Sequence, residues 1–143
     1  MQYHIGIDLG GTNIAVGVVD ESHHIVGKSS IPTDVPDTAE HVADRMAKAC
    51  ALAVEDAGIS IDQVETVGIG SPGSVDPFRG IVQHAYNLGF VGTPLRELMA
   101  QRLEKPIYLD NDANAAAYGE VMAGAAQGYR NVVVMTLGTG IGG

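Results

Sequence analysis

With 143 residues, 45% of them hydrophobic and 17% charged, the chain has the size and apolar content of one globular domain. Eight basic residues scattered among seventeen acidic ones leave a formal charge of −9, which argues against a nucleic-acid or anionic-lipid surface; any bound phosphate has to be met by backbone donors and a metal ion. The opening Met1-Gln2-Tyr3-His4-Ile5 lacks a basic leader into an apolar stretch, and no window holds roughly 18 consecutive apolar residues, so a cytoplasmic protein with no membrane span is expected.

Residues 3–9, 13–20 and 24–31 are β-rich runs, the last two separated by the polar turn Asp20-Glu21-Ser22-His23-His24, and together they predict a three-stranded antiparallel meander. Pro36-Asp37-Thr38-Ala39-Glu40 opens a helix, with Asp37 as N-cap and Glu40 three residues on, whose apolar spacing lasts to Gly58. Cys50 shares a face of that helix with Val42, Met46, Ala49, Ala53 and Ala57, so this single cysteine is expected to be a small core residue.

A strand over 64–69, a glycine and proline loop over 70–77 and a weak strand over 81–84 come next. Thr93-Pro94 starts a second helix, since proline fits a first turn where its missing N–H is not needed. Then come a short strand at 107–109, an alanine-rich helix at 112–125 and a strand at 132–137. A meander followed by alternating helices and strands predicts an α/β fold, a mixed sheet with flanking helices, in which ligands bind at the carboxyl ends of the strands. The chain stops in a glycine turn, Thr139-Gly140-Ile141-Gly142-Gly143, and is therefore expected to be part of a longer protein.

Four segments carry candidate chemistry. In Asp8-Leu9-Gly10-Gly11-Thr12-Asn13, between the first two strands, adjacent glycines permit a tight turn and close approach of a ligand, while Thr12 and Asn13 add polar side chains. The segment suits a phosphate cradle, with Asp8 holding Mg²⁺ through its waters; taken alone, an ordinary glycine hairpin is the simpler reading. Leu137-Gly138-Thr139-Gly140-Ile141-Gly142-Gly143 repeats the pattern, and its G-x-G-x-x-G spacing at Gly138, Gly140 and Gly143 leaves a dinucleotide-binding domain open as an alternative. Two glycine-threonine turns at strand ends better suit one nucleoside triphosphate gripped from both sides.

In Leu109-Asp110-Asn111-Asp112-Ala113-Asn114 a strand passes into a helix. The free N–H groups there favour a carboxylate, so Asp112 suits a general base and Asn111 a ligand to a substrate hydroxyl; either residue also makes an ordinary N-cap. Glu120, further along, reads as a solvated charge. Gly70-Ser71-Pro72-Gly73-Ser74-Val75-Asp76, with Asn87 beyond it, suits hydrogen bonding to a polyol. It is no nucleophile elbow, because Ile69 stands where G-x-S-x-G needs its first glycine. His23, His24, His41 and His84 read as solvated or structural, which leaves a hydrolase without a histidine.

In order along the chain, Gly6-Ile7-Asp8-Leu9-Gly10-Gly11-Thr12-Asn13, Ser71-Pro72-Gly73-Ser74-Val75-Asp76, Asn87-Leu88-Gly89, Asn111-Asp112-Ala113-Asn114-Ala115-Ala116 and Leu137-Gly138-Thr139-Gly140-Ile141-Gly142-Gly143 resemble the ROK (repressor, open reading frame, kinase) family of sugar kinases, in the actin-like ATPase and hexokinase superfamily. The resemblance implies a ribonuclease-H-like N-terminal domain over residues 1–143 that closes against a second domain on sugar and ATP. It assigns Asp112 as the base, Gly73, Ser74, Asn87, Asn111 and Asp112 to the sugar, Gly10, Gly11, Thr12, Asn13, Gly138, Thr139 and Gly140 to the phosphates, and Asp8 to Mg²⁺. It further implies a homo-oligomeric full-length kinase of glycolysis, glucose leading among hexoses, with the family's zinc-binding His and Cys cluster in the second domain. Phe90 stands where glucokinase members often carry tryptophan. Family repressors have a DNA-binding segment before the first strand and an eroded glycine loop; here the strand begins at once and the loop is whole, favouring a kinase. Half a cleft is expected to be inactive alone, and a non-catalytic sugar-binding or repressor-type member is the alternative.

Overall fold

The computed structural model describes residues 1–138 and 140–143, so Thr139 lies outside it. In chain order the elements are β1 (Tyr3–Leu9), β2 (Asn13–Asp20), β3 (Ile25–Pro32), α1 (Ala39–Asp56), β4 (Val64–Ser71), β5 (Ser74–Asp76), β6 (Ile81–Ala85), β7 (Phe90–Thr93), α2 (Leu95–Leu103), β8 (Ile107–Asn111), α3 (Asp112–Ala123), β9 (Thr136–Leu137) and β10 (Ile141–Gly142). The main sheet runs β3-β2-β1-β4-β8. Its first three strands form the expected antiparallel meander, while β4 and β8 run parallel to β1. A small antiparallel sheet, β5-β6-β7, hangs between β4 and α2.

Strand register sorts the side chains of the main sheet into two unlike faces. Gly27, Val18, Ile5, Val67 and Ile107 line up across all five strands, and the next row on that face is Ser29, Val16, Ile7, Ile69 and Leu109. This face is buried under α1, which contributes Val42, Met46, Ala49, Cys50 and Ala53, each fully enclosed, and beside it lies α2 with Leu95 and Met99. Each large aliphatic side chain so buried stabilises the fold by about 1.5–3 kcal/mol. Burial pushes the Cys50 thiol up to about 12, so it is the inert core residue expected.

The other face is built from small residues. Lys28, Gly17, Gly6, Gly68 and Tyr108 form one row and Ser30, Ala15, Asp8, Gly70 and Asp110 the next. Three glycines abreast leave an open groove of about 1370 Å³ along the middle of the sheet. Tyr118 on α3 and Val133, Met135 and Leu137 beyond it are also exposed.

Several boundaries depart from expectation. The N-cap of α1 is Thr38, whose hydroxyl accepts the His41 N–H at 3.2 Å, and not Asp37. The Asp37 carboxylate is already occupied by the Thr38 N–H, the His41 ring and the Arg45 guanidinium, which hold its pKa down to about 2. The region 70–77 is not all loop, since β4 reaches Ser71 and β5 covers Ser74–Asp76; β5 and β7, of three and four residues, are too short to show periodicity. The strand expected over 132–137 survives only as Thr136–Leu137, because residues 132–135 find no pairing strand among the described residues. Helix α3 ends at Ala123 rather than 125; Glu120, expected to be merely solvated, turns its carboxylate back to accept the Ala125 N–H at 2.8 Å. Among the described residues no helix is long and apolar enough to cross a membrane.

Helix α1 crosses β3 where Gly27 has no side chain. A Cβ there would lie 2.5 Å from the Ala57 Cβ and would also strike the Ala53 carbonyl oxygen. Gly27→Ala should therefore push the helix off the sheet and cost about 1–3 kcal/mol, seen as a lower urea midpoint with an unchanged m-value; an unchanged midpoint would show that the helix is free to shift.

Candidate active site

The parallel register brings the ends of three strands to one line. Asp8 of β1 is opposite Gly70 of β4, Gly70 is opposite Asp110 of β8, and Ser71 is opposite Asn111. The segments leaving these strands therefore meet at the same edge of the sheet: the 10–12 turn after β1, the turn to β5 after β4, and α3 after β8.

The turn after β1 is tight. The Gly10 N–H donates to the Asn13 carbonyl at 2.9 Å, and a Cβ on Gly10 would lie 2.8 Å from that same oxygen. Thr12 and Asn13 are exposed at its tip. From behind, the fully buried Thr33 closes it: its N–H donates to the Thr12 carbonyl and its hydroxyl to the Gly10 carbonyl, both at 2.8 Å. The sequence pointed to the turn but not to Thr33, which comes after β3 with no motif around it.

Asn111, not Asp112, caps α3. Its Oδ1 accepts the Ala113 and Asn114 N–H groups at 3.0 and 3.3 Å, and its Nδ2 donates to the Gly73 carbonyl at 2.9 Å. Asp112 is thereby left as the first helical residue, one oxygen taking the Ala113 N–H at 2.8 Å. Glycine at position 70 makes room for this start, because a Cβ there would be 3.3 Å from the Asp112 Cα and 3.5 Å from the Ala115 Cβ. Asp112 consequently sits near Asp8: partial burial, and then the Asp112 charge, raise the Asp8 pKa above the ordinary carboxylate value.

The remaining candidates gather around the same edge. Gly73 turns with φ +86°, which only glycine adopts freely, and Ser74 donates its hydroxyl to Gln83 Oε1 at 2.8 Å. Asn87 is exposed in a 3-10 turn over Tyr86–Leu88. It closes on the glycine turn, for a Cβ on Gly11 would be 3.2 Å from the Asn87 Cβ. Phe90 is buried in the core. Gly138 and Gly140 form the bend of the β9–β10 hairpin, the Gly138 N–H donating to the Gly140 carbonyl at 2.9 Å, and that hairpin lies beside Ala113. Thr139, between them, lies outside the described residues. A strand that turns back into an antiparallel strand is the wrong context for the dinucleotide motif, whose glycines lead from a strand into a helix.

The large groove and the candidate residues overlap only in part. The groove runs over the glycine rows of the open sheet face and meets the candidate residues only at Asp8 and Asp112. Among the described residues no three His, Cys, Asp or Glu side chains converge as a metal cluster.

The ROK family model matches residues 4–143. The chain belongs to the ROK family. It is 45% identical over 139 residues to the glucokinase of Streptomyces coelicolor, covering 97% of this chain and 42% of the relative. It is 36% identical over 138 residues to the N-acetyl-D-glucosamine kinase of Salmonella arizonae, covering 96% of this chain and 44% of that protein. Among solved structures, a ROK family glucokinase from Streptomyces griseus in complex with glucose and AMPPNP superposes with a TM-score of 0.88 at 45% identity, over 98% of this chain and 43% of the other. This ROK chain thus spans less than half the length of the relatives it matches, and its mixed sheet with flanking helices is the actin-like ATPase, ribonuclease-H-like fold the motifs implied.

A site carboxylate held in this way should cost stability. The raised pKa of Asp8 means that the folded ROK domain binds this proton more tightly than the unfolded chain does. Ionised Asp8 is therefore destabilising above its folded pKa, and the cost disappears as pH falls below the ordinary carboxylate range. With no divalent cation present, Asp8→Asn should raise Tm at pH 7 by on the order of a degree or two, the position being partly exposed, and the gain should vanish near pH 3. A gain independent of pH would show that the charge is not its source.

Proposed function

We propose that the protein carrying this chain is an ATP-dependent hexose kinase, acting foremost on glucose and yielding the 6-phosphate, with this domain supplying one wall of its cleft. The observation that carries the reading is the placing of Asp112, at the start of α3, near Asp8, which stands two residues before the glycine turn, with Asn111 tied to Gly73. An acid next to a backbone cradle and a polar loop is what phosphoryl transfer to an alcohol requires, since positioning and charge supply most of the acceleration.

In this reading Gly10, Gly11, Thr12 and Asn13, together with Gly138, Thr139 and Gly140, hold the phosphates of ATP through backbone and hydroxyl donors. Gly73, Ser74, Asn87 and Asn111 hold the sugar. Asn111 has its carbonyl oxygen committed to the helix cap and one amide hydrogen to Gly73, so its second amide hydrogen is the one offered to a hydroxyl. Asp112 takes the proton of the attacking sugar hydroxyl as that oxygen bonds to the γ-phosphorus and the bond to the β-phosphate oxygen breaks, leaving ADP. Asp8 is the carboxylate that would hold magnesium through its waters, and its raised proton affinity marks a place where a cation would relieve repulsion with Asp112. Bound there, the ion would neutralise charge on the phosphates.

Glucose is favoured over N-acetylglucosamine by the higher identity to the Streptomyces coelicolor glucokinase. We further propose that the isolated 143-residue chain is inactive, being one wall of the cleft, and that the complete protein is a cytoplasmic homo-oligomer.

In the complete protein, Asp112→Asn should lower kcat by roughly 10² to 10⁴-fold in an ADP-coupled assay, with glucose affinity by calorimetry changed by less than about threefold, a difference of well under 1 kcal/mol. Turnover close to wild type would remove Asp112 from its role. Faster turnover of N-acetylglucosamine than of glucose in the same assay would reassign the substrate.

A further inference from the structure

The glycine turn is held from outside as well as by its own Gly10 to Asn13 hydrogen bond. Two of its carbonyls, those of Gly10 and Thr12, point away from the site edge and are bound by a single residue, Thr33. Because each peptide unit is planar and trans, fixing a carbonyl fixes the N–H on the opposite side of the same plane. Holding the Gly10 and Thr12 oxygens toward Thr33 therefore turns the N–H groups of Gly11 and Asn13 away from it. Thr33 is itself fully buried, so its hydroxyl has no water to trade with and its loss would leave the Gly10 oxygen short of a partner.

Thr33 is in turn clamped from α1. The Arg45 guanidinium donates to three acceptors of the β3–α1 connection: the Thr33 carbonyl through Nε at 2.7 Å, the Asp37 carboxylate at 2.9 Å and the Asp34 carbonyl at 3.2 Å. A planar fork binding three points of one short segment fixes it far better than a single contact would. Asp37, held near pKa 2 by these donors, stays charged throughout the working pH range. The connection after β3 is thus rigid where it meets the back of the turn, although it contributes no side chain to the site edge.

We propose that Thr33 is a positioning residue for nucleotide binding: through its hydroxyl and N–H it sets the peptide planes of the glycine turn, and Arg45 holds it in place. This rests on the reading of that turn as the phosphate cradle. It would make α1, a helix remote from the site edge, part of the apparatus that grips ATP.

The experiment compares Thr33→Val, which keeps the shape and removes the hydroxyl, with Thr33→Ser, which keeps the hydroxyl, in the complete protein. Thr33→Val should weaken AMPPNP binding and raise the KM for ATP by roughly tenfold, the scale of one lost buried hydrogen bond, leaving glucose affinity unchanged. Thr33→Ser should return the KM for ATP to within about twofold of wild type. Amide exchange at Gly11 and Asn13, without nucleotide, should quicken by about tenfold in Thr33→Val and not in Thr33→Ser. Equal defects in the two variants, or a wild-type KM for ATP in Thr33→Val, would overturn the proposal. Should Thr33→Val not fold, Arg45→Gln is the substitute, expected to raise the KM for ATP about threefold, and no rise would count against the role. A wild-type protein that binds no AMPPNP would refute the kinase reading, while the exchange rates would still decide whether Thr33 sets the turn.

Discussion

Everything at the candidate site depends on the parallel register of β1, β4 and β8. Because Asp8, Gly70 and Asp110 stand in one row, the three segments leaving those strands emerge together. The register is fixed by the buried face, where slipping one residue would exchange Ile5, Ile7, Val67, Ile69 and Leu109 for glycines and acids beneath α1. Core packing on one side of the sheet thus sets the geometry of chemistry at its end. Glycine at position 70 completes the arrangement by letting the first turn of α3 settle on the sheet edge, with Asp112 near Asp8.

The same edge shows how loosely separated segments are tied into one unit. Asn111 joins the α3 cap to Gly73, Asn87 packs on Gly11, and Thr33 joins the glycine turn to the anchor provided by α1. The open face is built the opposite way, with three glycines in a row that leave an uncovered groove in this chain.

The meander, the long first helix and the parallel strands were legible in the sequence because burial on one face leaves a clear period. What failed was local competition. Asp37 and Thr38 are both good caps, and Arg45 and the His41 ring, eight and four residues on in the chain, divert the first and leave the second. Asn111 and Asp112 pose the same ambiguity, resolved by the hydrogen bond from Asn111 to Gly73 across 38 positions. Residues 132–135 read as a strand from composition, but a strand needs a partner as well as propensity. Of the site, the glycine turns and the Asn111-Asp112 pair were visible as motifs; Thr33 was not, since a lone threonine after a strand carries no pattern.

If the carboxyl edge of the sheet is the site, ligands meet this domain there and not in the larger groove across its face. Amide chemical-shift mapping with AMPPNP and glucose, on the complete protein, separates the two places. Shifts should concentrate at residues 10–13, Gly73, Ser74, Asn87, Asn111 and Asp112. Shifts centred on Gly6, Gly17, Gly68 and Tyr108, with the glycine turn unmoved, would contradict the edge as the binding site.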